Sequence, residues 1–494
     1  MKRCLWILIA LIALVGANVA PAGAQILSLG SNTTTVPPTR IVVRDSLGLS
    51  GIKATCLVLN CTVVRGLGDP SGQLFLITTP SLLDPVTYLL KLRLQLGIVD
   101  AEIDQVIHTS GASAGPAPSY LTDKVPVTYY GATVWRGYVT QTGNQLIQTD
   151  PTHSIFNVAG SGVTVAVIDT GVDPTNPVLQ NLLVSGYDFT RNVDGGSEKA
   201  DVSQSTVAVL DQANPAQVNQ STVAVLDQST VAVLDSSQYA AFGHGTMVAG
   251  IVHLVAPQAK IMPLKSFQAD GSGYSSDILR AIYYAAKNGA KVINMSFSYS
   301  TSSPELESAV NYAASKGVIL VASAGNDGKQ VLVYPGALKN VIDVASTTNT
   351  DTVSKFSNYG APPVWLAAPG EAVVTTYPWG TYAAGWGTSF SAPFASGAAA
   401  LLVNVSQKCN QSSAFNALAH AQWISAPQVG NGRLDTSPES YPPQPHGSPS
   451  RTEARSAMIE RRMRIPPLGD RESFLPSFGQ NTVANFVYAP HRAA

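Results

Sequence analysis

The apolar positions of the first hundred residues change period several times. Arg40-Ile-Val-Val-Arg44 reads as a strand and Leu47 to Leu59 as a helix. Thr62-Val-Val-Arg65 and Gln73-Leu-Phe-Leu-Ile-Thr78 flank a Gly-Asp-Pro-Ser-Gly turn, which predicts a hairpin. Leu82 to Leu96 repeats apolar residues at helical spacing, and Ile98 to Ile107 predicts a last strand. This βαββαβ order describes a small, ferredoxin-like α+β unit. Ser110 to Ser119, rich in Gly, Ala, Pro and Ser, follows as a linker.

From Gly162 the pattern is different. Val163 to Ile168, Lys260 to Leu264, Val292 to Met295 and Val318 to Ser323 are short apolar runs without clean alternation, as expected of strands buried on both faces. Helical stretches at 246–255, 275–288 and 304–316 lie between them, which predicts an α/β fold with a mainly parallel sheet between helices. After Asp435 the chain turns Pro/Ser/Gly-rich (Ser437 to Ser450) and then charged without apolar periodicity (Arg451 to Arg464), so we expect a largely disordered tail over 437–494.

Composition narrows the function classes. The 494 residues leave room for two or three domains, and a net charge of -1 provides no basic footprint for nucleic acid. Lys2-Arg3, the apolar run Leu5 to Val19 and Ala22-Gly-Ala24 form a signal peptide over 1–24; the run is shorter than the ~20 residues that span a bilayer. We therefore expect a secreted protein with no membrane attachment once the signal is removed. Cys4 leaves with the signal; Cys56 and Cys61 could close a small loop and leave Cys409 odd, or all three could be buried thiols. No metal-ligand spacing is present.

Four segments carry chemistry. Gly387-Thr-Ser389-Phe-Ser391-Ala-Pro393 opens a small-residue helix, which would put the Ser389 hydroxyl at the positive end of the helix dipole, with Pro393 expected in the first turn. Alone, it is equally an ordinary Ser-capped helix. Val163 to Asp169 brings a carboxylate to the end of a buried strand, followed by Thr170-Gly171. Gly243-His244-Gly245-Thr246 starts an apolar helix; His253, the rival base, lies inside that helical pattern. Val318 to Asn326 ends a buried strand in Gly-Asn, where an amide can donate to an oxyanion without carrying charge.

In the order Asp, His, Asn, Ser, these motifs resemble the subtilisin-like serine proteases (subtilases, peptidase family S8). Connecting text over roughly 160 to 436 adds to the likeness: Asn288-Gly-Ala290 to Ser296, Phe356 to Gly360, Ala367-Ala-Pro-Gly370 and Gly430 to Asp435. The resemblance implies the subtilisin-like three-layer fold and a serine-type endopeptidase in which Asp169 orients, His244 is the base, Ser389 attacks and Asn326 helps hold the oxyanion. Substrate backbone would pair with Ser296, Phe297 and Ser298 and with Ala322, Ser323, Ala324 and Gly325. Protein or peptide substrates, a monomer and no cofactor for the chemistry are implied; calcium is common in the family, but no acidic loop here specifies a site. By strand and helix order, 25–110 resembles the family's inhibitory propeptide, with 111–150 as linker and start of the mature region and 151–436 as the catalytic domain. The departures are Met247 where the family usually has His, no Gly near Ser298 where the family usually has one, and Phe390-Ser391 after the nucleophile where it has Met-Ala.

An insertion at 205–236 holds Ser205-Thr-Val-Ala-Val-Leu-Asp211, repeated at Ser221 to Asp227 and Ser229 to Asp235, all echoing Thr164 to Asp169. The Thr-Gly that follows Asp169 selects it from the four aspartates. The repeats read as a duplicated surface loop without a catalytic role, or as a hairpin near the cleft. A competing class is a non-catalytic protein that keeps the fold and presents the insertion or tail to a partner.

Overall fold

The computed structural model describes residues 38–80, 84–109, 112, 115–202, 216–220, 223–228, 237–360, 363–422, 424 and 429–437. The signal segment, residues 438–494 of the tail and most of the repeat insertion lie outside the described residues.

The α+β unit has a four-stranded antiparallel sheet in the spatial order Thr62–Gly66, Leu74–Thr78, Arg40–Asp45, Ile98–Ile103. Helices Gly48–Leu59 and Pro85–Arg93 cover one face, where Ile41, Val43, Ile52, Phe75, Ile77, Tyr88 and Leu92 form a core. Asp84 caps the second helix by accepting from the Thr87 N–H at 2.8 Å, just before Pro85. Cys56 and Cys61 form a disulfide, in which Cys409 takes no part.

The expected single strand over Ile98 to Ile107 is two strands. The first ends at Ile103; Val106–His108 leaves the unit and pairs antiparallel with Ser272–Tyr274 of the large domain. Asp104, between them, is buried and accepts from the Ser276 N–H (2.8 Å), the Ser275 hydroxyl (2.9 Å) and the Ser276 hydroxyl (2.9 Å), at the N-terminus of helix Ser275–Lys287. Glu102 accepts from Ser303, the N-cap of helix Pro304–Ser315, and Arg44 makes a two-pronged pair with Glu305. The small unit thus rests on the starts of two helices.

The large domain is built on an eight-stranded sheet in the order Val193–Asp194, Tyr187–Asp188, Lys260–Lys265, Thr164–Asp169, Val292–Met295, Ile319–Ser323, Ile342–Thr347, Leu366–Pro369. All pairs are parallel except the antiparallel hairpin at the 187–194 edge. Burial on both faces explains the unbroken apolar runs. Val165, Val167, Ile319 and Val321 pack in one core with helices His244–Val255 and Thr388–Val405. Ala166, Ile168, Leu320 and Ala322 pack in the other with Ser275–Lys287 and Pro304–Ser315. Helix Thr388–Val405, at 18 residues, is long and apolar enough to cross a membrane by length and composition, but its apolarity reflects its place in the core.

A second sheet has the order Ala216–Gln220, Val223–Gln228, Thr381–Gly385, Val373–Tyr377. The middle repeat therefore supplies a strand, with Val223 opposite Gly385 and Val225 opposite Ala383, four residues before Ser389 at its nearest point.

Candidate active site

Strand Thr164–Asp169 ends under the start of helix His244–Val255. His244 Nδ1 lies 2.8 Å from Asp169 Oδ1, and both residues are buried. A carboxylate oxygen can only accept there, so Nδ1 carries the proton and Nε2 is left as the basic nitrogen. Asp169 Oδ1 also accepts from the Thr170 N–H at 2.7 Å, while Oδ2 is buried without a hydrogen-bond partner.

The two turns are laced by hydrogen bonds that join the motif residues to Glu198, which no local sequence pattern singles out. The Thr170 hydroxyl accepts from the Gly245 N–H at 3.0 Å and donates to Glu198 Oε2 at 3.3 Å. Thr246 donates to Glu198 Oε1 and accepts from the Asp173 N–H at 2.8 Å. Full burial pushes the Glu198 carboxyl well above the usual carboxylate range. Gly245 is required by contact: a Cβ there would stand 2.0 Å from the Gly171 carbonyl oxygen. Lys265, also buried, donates to the Thr170 carbonyl (2.8 Å) and to Asp201 (2.6 Å).

Ser389 is the second residue of helix Thr388–Val405 and is 2% exposed. Gly387 before it has φ 143°, and a Cβ on it would lie 3.4 Å from Asn326 Nδ2. Asn326 is oriented through its oxygen, which accepts from the Thr388 N–H (2.9 Å) and hydroxyl (3.0 Å), so its amide nitrogen forms the opposite end. Thr388 in turn accepts from the Gly325 N–H at 3.1 Å. The Ser389 hydroxyl donates to the Ser296 carbonyl at 3.1 Å and is thus turned to the strand rather than to the imidazole. The Phe390 ring packs 5.4 Å from that of His244, bringing the two helix starts together.

Residues 160–437 match a model of the subtilase family of peptidase S8. That span is more than half of the chain. The chain belongs to the subtilase family. Among curated relatives of this subtilase, the thermophilic serine proteinase of Bacillus sp. (strain AK1) is 36% identical over 274 residues, 55% of this chain and 59% of that protein. Thermitase of Thermoactinomyces vulgaris is 34% identical over 274 residues, 53% of this chain and 82% of that protein. The structure of fervidolysin from Fervidobacterium pennivorans, described as a keratinolytic enzyme related to subtilisin, superposes with a TM-score of 0.61 at 22% identity, over 82% of this chain and 61% of that one. The subtilisin-like three-layer α/β fold follows from the match and the topology together.

The rival residues lie elsewhere. His253 is buried within its helix against Tyr138, 2.8 Å from the phenol oxygen, and burial lowers its pKa to about 4. Asp227 belongs to strand Val223–Gln228; Asp211 and Asp235 lie outside the described residues. Pro393 departs from expectation: it is the sixth residue of its helix, beyond the first turn. Glu198 stands in no sequence motif, because its partners Thr170 and Thr246 are distant along the chain; Thr170, Thr246 and Thr388 lie in the motifs, but their hydrogen bonds could not be read there.

Proposed function

We propose that this subtilase is a secreted serine endopeptidase, made as an autoinhibited precursor, that cleaves peptide bonds by an acyl-enzyme route. His244 Nε2 takes the Ser389 proton as Oγ attacks the scissile carbonyl; Asp169 keeps the proton on Nδ1 and stabilises the imidazolium. Asn326 donates to the carbonyl oxygen as it becomes an oxyanion. Collapse breaks the C–N bond, His244 gives its proton to the departing amine, and water repeats the sequence on the ester. The observation that carries this reading is the buried 2.8 Å contact of His244 with Asp169, on turns laced into one unit.

Substrate backbone would lie beside Ser296 to Ser298 and Ala322 to Gly325, adding a strand. We add Ser272–Tyr274 as the opposite wall. Supporting this, the chain's own Val106–His108 already pairs with it, and the Thr109 N–H donates to the Gly271 carbonyl at 2.9 Å. That same contact supports an inhibitory role for 25–110. The signal over 1–24 is the basis for export.

The test is a fluorophosphonate probe applied to processed wild-type protein and to Ser389→Ala, with mass spectrometry of the labelled peptide and the N-terminus. Label on Ser389, absent from the variant, is the expected result. Folded, processed wild type that takes no label would overturn the reading in favour of a non-catalytic binding protein.

A further inference from the structure

The helix that carries Ser389 has a gap in its own hydrogen bonding. In a regular helix the Ser389 carbonyl would accept from the N–H four residues on, but residue 393 is proline and has none. The site is buried, so a donor has to come from the protein. It is the Ser296 hydroxyl, at 2.8 Å. Ser296 Oγ accepts in turn from Asn294 Nδ2 at 2.9 Å, and Asn294 Oδ1 accepts from the Ser396 hydroxyl at 2.8 Å. Ser396 is seven residues beyond Ser389 on the same helix, two turns along the same face. Ser296, Asn294 and Ser396 are all 0% exposed.

These four residues close a ring between the helix and the end of strand Val292–Met295, and the ring has a direction. Were the Asn294 amide reversed, its nitrogen would donate to Ser396 and its oxygen would draw the Ser296 proton. The Ser389 carbonyl would then be left without a donor. The proline gap therefore selects the orientation in which Ser396 donates first and Ser389 receives last. Ser296 holds Ser389 at two points, its hydroxyl on the Ser389 carbonyl and its carbonyl on the Ser389 hydroxyl.

We propose that Asn294 and Ser396 are positioning residues for the nucleophile: acting through Ser296, they fix the Ser389 backbone at the helix start, from which its hydroxyl must turn off the Ser296 carbonyl to meet His244. This rests on Ser389 being the nucleophile. Neither residue would touch substrate, so their effect belongs to turnover and not to binding.

The experiment is kinetic. Ser396→Ala removes the first donor of the ring; kcat on a small ester substrate should fall roughly tenfold with KM within about twofold, as expected of a small displacement at the reacting atom. The rate of fluorophosphonate labelling should fall by the same factor, while the final labelled fraction and the acid limb of the pH profile stay as in wild type. Ser396→Thr, which keeps the hydroxyl, should recover the rate. A variant with a lower melting temperature but wild-type kcat and labelling rate would reduce the ring to a structural role and overturn the proposal. A second arm uses Pro393→Ala, which restores an N–H to the Ser389 carbonyl. In that background Ser396→Ala should cost little further kcat, and this double variant also serves if Ser396→Ala alone does not fold. An undiminished tenfold cost in the Pro393→Ala background also overturns the proposal. Wild type that takes no label at all is a separate result, which fails the nucleophile assignment itself.

Discussion

The two halves of the site are held by different chemistry. Around Asp169 and His244 the fold uses ionisable groups: Lys265 pairs with Asp201 at 2.6 Å and Lys199 with Asp173 at 3.0 Å, and the Glu198 carboxyl is buried between two threonines. Around Ser389 and Asn326 the joints described above are neutral hydroxyls and amides: Thr388, Ser296, Asn294 and Ser396. The difference follows the charge that each half would develop. An imidazolium gains from a nearby carboxylate, whereas an oxyanion would be destabilised by one and is better served by fixed dipoles.

The sharpest way to break the comparison is to remove one group from each half. His244→Ala should lower kcat by several orders of magnitude, as loss of a triad member does in subtilisin. Asn326→Ala should cost roughly 3 kcal/mol in the transition state, a magnitude carried over from subtilisin, with KM little changed. Steady-state kinetics on one ester substrate measures both; equal losses would mean that the halves do not divide base from oxyanion.

The second contrast concerns stability. Glu198→Ala leaves the Thr170 and Thr246 hydroxyls without their buried acceptor and should destabilise by about 1–3 kcal/mol in denaturant titration. Glu198→Gln, isosteric and still able to accept from one of the two threonines while its amide nitrogen donates to the other, should cost less than half of that. If Gln and Ala cost the same, the carboxyl is not acting as a neutral partner to the threonines.

The smallest effect comes from Asp343, a buried carboxyl on the Asn326 side, paired in register with Ala322. Neither of its oxygens has a hydrogen-bond partner, and burial raises its pKa to about 7. A carboxyl with a raised folded pKa gives stability that is full below the ordinary value of 3.8 and is lost as pH rises through about 7. Between pH 6 and pH 8 this group should remove on the order of 1 kcal/mol from the unfolding free energy. Asp343→Asn should flatten that slope in parallel denaturant titrations; an unchanged slope would assign the pH dependence to other groups.

The sequence carried the parts of the site that are local. Asp-Thr-Gly at a strand end, Gly-His-Gly-Thr at a helix start and Gly-Thr-Ser before small residues each announce a turn with a reactive side chain, and Asp169 and His244 do meet. The two-faced burial of the central strands was legible for the same reason, since it leaves unbroken apolar runs. What could not be read is set by partners far along the chain. Glu198 lies in a short turn 48 residues from Thr246, and nothing near it marks it as buried. Ser396 looks like one more small helix residue until Asn294 is placed opposite. The predicted strand Ile98 to Ile107 hid a break, because both of its parts are extended and only their pairing partners differ. Pro393 is expected in the first turn because only there does a proline cost no helical donor, whereas the helix starts at Thr388 and a serine hydroxyl fills the gap.

The seating of Val106–His108 on Ser272–Tyr274 also has a meaning in terms of concentration. A strand joined to the same chain competes for that edge as if it were present at about millimolar level, whatever the amount of protein. A free peptide offering the same backbone hydrogen bonds and a weaker side-chain fit would be shut out at any ordinary dose. Cutting the tether leaves every contact intact but turns a fixed local concentration into one that falls with dilution, so that, under the inhibitory role proposed for 25–110, spreading the molecules apart would itself be the activating event.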